Sequence, residues 1–332
     1  MKRIWFNHWF STAYYIINMI RRENSWVQII GSNENLLSPI KNVCDEWYQE
    51  PILHGKEYVD FCLNFCQHHD IDIFLPRREM VAVSQYKDLF SEHGIQVLVD
   101  NYELVEPLND KAKSYRAFTE KGIGKVPDYH VVKDVTAFEG AYRDLLDKYE
   151  KVCIKFVHDE GGKSYRLIDN NRTGYSALFK KLTTRMTYDA IREALSEKQS
   201  FPELMVMPYL PDEEISVDCL NTESGLIAIP RTKDYSRIER IEFEDNILDT
   251  CKMLLQEFPL ECPCNIQFKT LHGVRYLLEV NTRMSGGVHM TCEATGVNIP
   301  DIAVNKLMGK HRGWRLEQKT YYVTHVDMPI VL

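Results

Sequence analysis

The chain has 332 residues, more than one hydrophobic core usually holds, so two or three lobes are expected. Its composition is globular, 44% hydrophobic and 27% charged. The net charge of −8 argues against a broad nucleic-acid surface, which needs Lys and Arg to neutralise phosphates.

The N-terminus is basic and aromatic, but Asn7 and His8 break it and it lacks a small-residue cleavage site, so it reads as strand then helix. No apolar run approaches the roughly 18 residues of a membrane helix. The nine cysteines are scattered in apolar segments, as reduced core thiols are. A cytoplasmic protein is expected, with no membrane and no nucleic-acid partner.

Strand and helix first alternate: strand Arg3–Phe6, helix Ser11–Arg22, strand Val27–Gly31, helix Tyr58–His68, strand Ile71–Leu75, helix Glu79–His93 and strand Ile95–Val99. That alternation predicts a Rossmann-like parallel sheet flanked by helices. The connection after the first strand is Asn7-His8-Trp9-Phe10-Ser11 rather than a GxGxxG turn, which removes the main support for dinucleotide binding. Cys62, Cys66, His68 and His69 are near one another, yet with Tyr58, Phe61 and Phe65 they have the spacing of a buried helix face. No second cysteine pair completes a zinc set.

The helix Lys111–Lys121 stops at Gly122, with Gly124 and Pro127 beyond it. An α+β lobe follows, with strands Tyr129–Val132, Val152–Val157, Ser164–Ile168 and Leu204–Tyr209 and helices Thr136–Tyr149 and Tyr188–Ser196. The rest is strand-dominated: Ile215–Leu220, Leu226–Pro230 and a hairpin of Ile266–Thr270 and Val274–Val280, with helix Asn246–Phe258 between. A helix Ile299–Met308 and a strand Tyr321–Val326 close the chain. The expected domains are 1–108, 109–211 and 212–332.

Within these elements a few residues stand out chemically. Lys155, inside the apolar strand Cys153–Val157, either reaches water along its stem or meets an anion. Gly161, Gly162, Lys163 and Ser164 follow, and paired glycines let backbone N–H groups approach phosphate oxygens. A P-loop is excluded, because Val157 stands where its first glycine belongs and a strand, not a helix, follows. The backbone of Met207, Tyr209 and Leu210 offers an edge for adenine, and Glu213 or Glu214 a partner for ribose. Gln267, Glu279 and Asn281 on the hairpin offer three oxygens to a hard cation, and Arg283 suits a phosphate. Arg231, Arg237 and His289 are candidates for the acceptor side.

Taken in order, these pieces resemble the ATP-grasp superfamily. The closing run Glu279-Val280-Asn281-Thr282-Arg283-Met284-Ser285-Gly286-Gly287 is similar to the E-[IV]-N-P-R-x-[ST]-G-G of its carbamoyl-phosphate-synthase-like branch. Asp110-Lys111 and Gly122–Pro127 resemble the start of that family's nucleotide lobe, and the likeness covers about residues 107–310. It departs from the family pattern at Phe156, Pro208 and Thr282, and Gln267 is neutral where relatives often carry a carboxylate.

The resemblance implies a two-lobed ATP-grasp fold after the parallel-sheet domain. It further implies Lys111 and Lys155 on ATP phosphates, Gly161–Ser164 as a lid, Glu214 on ribose, Gln267, Glu279 and Asn281 on Mg²⁺ (with Mn²⁺ as an alternative), and Arg283 near the transferred group. The implied activity is that of an ADP-forming ligase joining a small-molecule carboxylate to an amine or related nucleophile. A small-molecule kinase on the same scaffold and a non-catalytic ATP-binding module are the alternatives, and a homodimer is compatible with the sequence.

Overall fold

The computed structural model describes residues 1–8, 11–158, 162–171, 184–233 and 237–332. In chain order the first elements are β1 (Lys2–Asn7), α1 (Thr12–Glu23), β2 (Val27–Asn33), β3 (Glu46–Gln49), α2 (Gly55–His68), β4 (Ile73–Leu75), α3 (Met80–Gln85), α4 (Lys87–Glu92), β5 (Gln96–Val97) and α5 (Tyr102–Asn109). Next come α6 (Lys111–Glu120), β6 (His130–Val132), α7 (Val135–Leu146), β7 (Val152–Phe156), β8 (Arg166–Ile168), β9 (Arg185–Met186), α8 (Tyr188–Ser196) and β10 (Leu204–Pro208). The last are β11 (Glu214–Thr222), β12 (Gly225–Lys233), β13 (Ile238–Ile241), α9 (Asp245–Glu257), β14 (Cys264–Leu271), β15 (Val274–Asn281), α10 (Val288–Thr295), α11 (Ile299–Leu307) and β16 (Tyr321–Thr324). The chain forms two compact units, one of Met1–Asn109, Glu213–Gln267 and Val280–Leu332, the other of Asp110–Asp212 and Phe268–Glu279.

The first unit opens with a parallel sheet ordered β3-β2-β1-β4-β5. Its inner strands are buried on both faces, as parallel strands covered by helices must be. Ile4, Phe6, Ile29 and Leu75 pack with α1, while Trp5, Ile30 and Phe74 pack with α2. Cys62 and Cys66 lie in that second core, where burial pushes both thiols far up, so they are core residues rather than ligands. The strand order reverses between β1 and β4, the place where such sheets usually open a ligand crevice. Here a buried polar network occupies the strand ends. Asn7 donates to the Tyr58 hydroxyl at 2.8 Å, Tyr58 donates to Glu50 at 2.6 Å, and Trp5 and Glu50 both meet the Ser32 hydroxyl at 2.7 Å. These side chains stand where a dinucleotide fold would have bare glycine backbone.

The later part of this unit contributes to a six-stranded sheet ordered β15-β14-β11-β12-β13-β16. Its β11–β12 hairpin is antiparallel over its full length, from Glu214 opposite Lys233 to Thr222 opposite Gly225. Leu220, Ile227 and Ile229 of this hairpin share one core with α1, α10 and α11.

The second unit is built on a sheet ordered β6-β10-β7-β8-β9. Val132, Val152, Ile154, Leu204 and Val206 turn to one face, where α7 and α8 cover them with Phe138, Leu145 and Ile191. The β14–β15 turn also clusters here: His272 (φ 50°) and Gly273 (φ 77°) are both left-handed, the two-residue hairpin geometry that matches strand twist. Asp212 accepts from the His272 N–H at 2.8 Å, and the Leu277 N–H donates to the Lys125 carbonyl at 2.7 Å.

Among the described residues, no helix is long and apolar enough to cross a membrane.

Candidate functional site

The alternation of β7 puts Val152 and Ile154 into the helix-covered core and turns Cys153 and Lys155 to the opposite face. Antiparallel register sets Met205 across from Lys155, and both Met207 and Leu167 across from Cys153, so these five side chains share that face. All are buried, and Lys155 is 8% exposed. An ammonium on so apolar a face is costly unless other groups meet its charge, and Lys155 does engage further groups. Cys153 is a poor nucleophile there, since burial pushes its thiol up to about 12.

Lys111 reaches the same end of β7. Asp110 caps α6, its Oδ1 accepting from the N–H groups of Ala112 and Lys113 at 2.9 Å each. That fixes Lys111 as the first helical residue, buried, with Nζ donating to the Val157 carbonyl at 3.3 Å. Tyr115 is one helical turn further on and fully buried. Its hydroxyl donates to the Leu278 carbonyl at 2.8 Å, and burial, then the charge of Glu279, holds its ionisation far above the usual range. Sequence reasoning missed Tyr115, because nothing in its local pattern distinguishes it from a core tyrosine.

Gly161 lies outside the described residues. Gly162 takes φ 67°, its carbonyl accepts from the Tyr165 N–H at 3.1 Å, and Ser164 Oγ accepts from the Phe156 N–H at 2.8 Å. Ser164 thus ties the turn to the end of β7, while Gly162 and Lys163 are exposed. Met207 and Leu210 are buried, and the Tyr209 N–H donates to the Lys151 carbonyl at 2.8 Å. Glu279, half-buried near the end of β15, completes the candidates of this unit.

In the first unit, Asn265 is fully buried and held by Ser216, the Val217 carbonyl and Asp218. Its Oδ1 accepts from Gln267 Nε2 at 3.3 Å, which leaves the Gln267 carbonyl oxygen as the end available to a cation. Asn281 Oδ1 accepts from Arg283 at 3.3 Å. An amide oxygen such as that of Gln267, oriented through its hydrogen bond to Asn265, is donor chemistry a magnesium ion accepts.

Three candidates are engaged by protein groups. Glu214 pairs with Lys233 at 2.6 Å, and exposed Arg237 with Asp327 at 3.4 Å. Arg231 is buried, paired with Glu239, 3.9 Å from Asp218 and donating to Thr291 at 3.4 Å. Its guanidinium lies where a Cβ on Gly287 would stand, so any larger residue there would have to push the guanidinium away from Glu239 and Thr291. Gly287→Ala should therefore cost about 1–3 kcal/mol in urea unfolding, the usual penalty of overpacking.

His289 stacks on Tyr15 with ring centroids 4.3 Å apart. Burial, then the charges of Arg231 and His325, depress its imidazole, against the opposite pull of Asp218 and Glu239. A depressed histidine binds its proton more readily when unfolded, so the stability it contributes is present above the ordinary value of about 6.5 and falls away below it. His289→Gln should flatten the loss of unfolding free energy below about pH 6.5 by up to about 1.4 kcal/mol per pH unit, read from denaturant titrations at several pH values.

Residues 200–328 match the family described as ATP-grasp in the biosynthetic pathway with Ter operon. Residues 11–98 match the PylC-like N-terminal domain. The carbamoyl phosphate synthase large chain of Clostridium acetobutylicum is 22% identical over 301 residues, 85% of this chain and 26% of that one. The chain thus spans about a quarter of the length of that curated relative. The biotin carboxylase domain of Hydrogenobacter thermophilus 2-oxoglutarate carboxylase, solved with MgADP and bicarbonate, superposes with a TM-score of 0.70 at 18% identity, covering 97% of this chain and 73% of that one. An ADP complex of N5-carboxyaminoimidazole ribonucleotide synthetase gives 0.71 at 14% identity, covering 97% and 81%. These matches make the chain similar to the ATP-grasp superfamily and to its carbamoyl-phosphate-synthase-like branch, and its fold is a parallel-sheet domain preceding an ATP-grasp fold.

Proposed function

We propose that this ATP-grasp protein is an ADP-forming ligase that activates a small-molecule carboxylate as an acyl phosphate and passes it to an amine or related nucleophile. The observation that carries the reading is the pair of buried lysines, Lys155 on an otherwise apolar face of β7 and Lys111 of α6 reaching the Val157 carbonyl just past the end of that strand. In this reading the apolar face takes adenine along the backbone of Met207–Leu210, and Glu214 takes ribose after parting from Lys233. The two ammonium groups meet the phosphates, and the turn at Gly162–Ser164 covers them.

A carboxylate oxygen attacks the γ-phosphorus, the bond to ADP breaks, and the acyl phosphate forms. The nucleophile then attacks the acyl carbon and phosphate leaves. Such a path depends on positioning and charge neutralisation more than on a protein nucleophile. Lys111 and Lys155 hold the triphosphate, and Arg283 faces the transferred phosphoryl group. Gln267, Glu279 and Asn281 would hold Mg²⁺, with Mn²⁺ able to replace it. The bound metal supplies charge to the phosphate oxygens.

ATP binding measured by calorimetry tests the nucleotide half of this reading. Affinity should fall about tenfold or more when Mg²⁺ is withheld, and again in Lys111→Met. Equal affinity in all three conditions would contradict it.

A further inference from the structure

Beyond the nucleotide lysines, the second unit gathers three further groups with ligand chemistry. Asp110 is only 7% exposed and spends one oxygen on capping α6. Among the described residues its Oδ2 has no donor nearer than His158 Nε2, at 3.5 Å, well beyond a charge-assisted hydrogen bond of about 2.8 Å. Glu203 immediately precedes β10, and its carbonyl accepts from the Val157 N–H at 2.9 Å, which keeps it beside the end of β7. One ligand atom from each of Asp110, His158 and Glu203 lies within 4.8 Å of the other two. Bonds of about 2.0–2.2 Å to a common ion would bring such atoms to about 3.0–3.5 Å, within reach of small side-chain rotations.

We propose that Asp110, His158 and Glu203 form a transition-metal site of the zinc class, separate from Gln267, Glu279 and Asn281. One imidazole and two carboxylates suit Zn²⁺, Co²⁺ or Mn²⁺, whereas Mg²⁺ prefers oxygen ligands and retained water. The ion neutralises a buried carboxylate that the imidazole alone meets poorly. It displaces Lys133, an exposed side chain 3.0 Å from Glu203. Once bound, it staples the start of α6 to the ends of β7 and β10, the strands that present Lys155 and Met207.

The test is calorimetric titration of the metal-stripped full chain with Zn²⁺, without nucleotide. His158 and Glu203 are exposed enough (61% and 37%) for His158→Ala and Glu203→Gln to fold, which metal-free thermal denaturation checks. One zinc per chain is expected, bound at least about tenfold more weakly in each variant and at full strength in Glu279→Gln. Zn²⁺ should also raise the thermal midpoint of the wild type more than that of His158→Ala. Zinc affinity unchanged in both His158→Ala and Glu203→Gln, or no zinc binding at all, would overturn the site. The titration contains no ATP, so its failure and the failure of the ligase reading are separate results.

Discussion

Replacing Glu279 with glutamine is expected to lower ADP formation at least about 100-fold while leaving the fold intact. In the proposed metal set of Gln267, Glu279 and Asn281, Glu279 is the one carboxylate, so the substitution removes that set's only formal negative charge. The side chain is half-buried and glutamine matches its shape, so unfolding free energy should change by no more than about 0.5 kcal/mol. Turnover and urea unfolding measured on one preparation separate the two effects. Turnover near the wild-type rate would remove Glu279 from the chemistry.

Lys155→Met should raise the KM for ATP about 10–100-fold, a loss of about 1.4–2.7 kcal/mol of binding. Lys155 is buried between Met205 and the residues around Cys153, so methionine fills its volume on a face already rich in apolar side chains. Lys155 engages further groups, so removing its ammonium leaves them without their partner and is expected to cost stability as well as ATP binding. The expected signature is therefore a raised KM for ATP measured well below the variant's own melting temperature, so that the loss of binding is read apart from the loss of stability. Unchanged KM and kcat would make Lys155 a structural lysine only.

Sequence patterns revealed the elements whose signals are local. The Leu271-His272-Gly273 turn between two apolar runs announced the β14–β15 hairpin, and Asp110 before Lys111, with Gly122 beyond, announced α6. The parallel sheet followed from the alternation of strands and helices. Less legible was β3, Glu46–Gln49, whose four residues have no buried face and whose place is set by pairing with β2. No element is expected from the sequence between the strand Ile95–Val99 and the helix from Lys111, yet α5 runs from Tyr102 through Pro107 to Asn109, with Val105 and Leu108 buried. The expected single helix from Glu79 to His93 divides at Tyr86 into α3 and α4.

Side-chain partnerships were least legible because they join distant segments. Arg231 reads as a surface residue in a polar stretch, but Glu239, Asp218 and Thr291 bury its guanidinium against Gly287. Asp110, His158 and Glu203 come together only once α6, β7 and β10 are in place, and no spacing along the chain connects them. Lys155 stands out in the sequence as a lysine within an apolar strand and Lys111 through the family resemblance, and the approach of Lys111 to the end of β7 is visible only in the fold.

Product analysis tests the ligase reading most directly. The chain would be supplied with ATP, Mg²⁺ and pooled carboxylates, with and without pooled amines, and ADP, free phosphate and phosphorylated products would be counted. ADP and phosphate should appear in equal amounts, and sustained release should require both an acid and a nucleophile. ADP formed in step with a stable phosphorylated product, without free phosphate and without need of an amine, would contradict the ligase and identify a kinase instead.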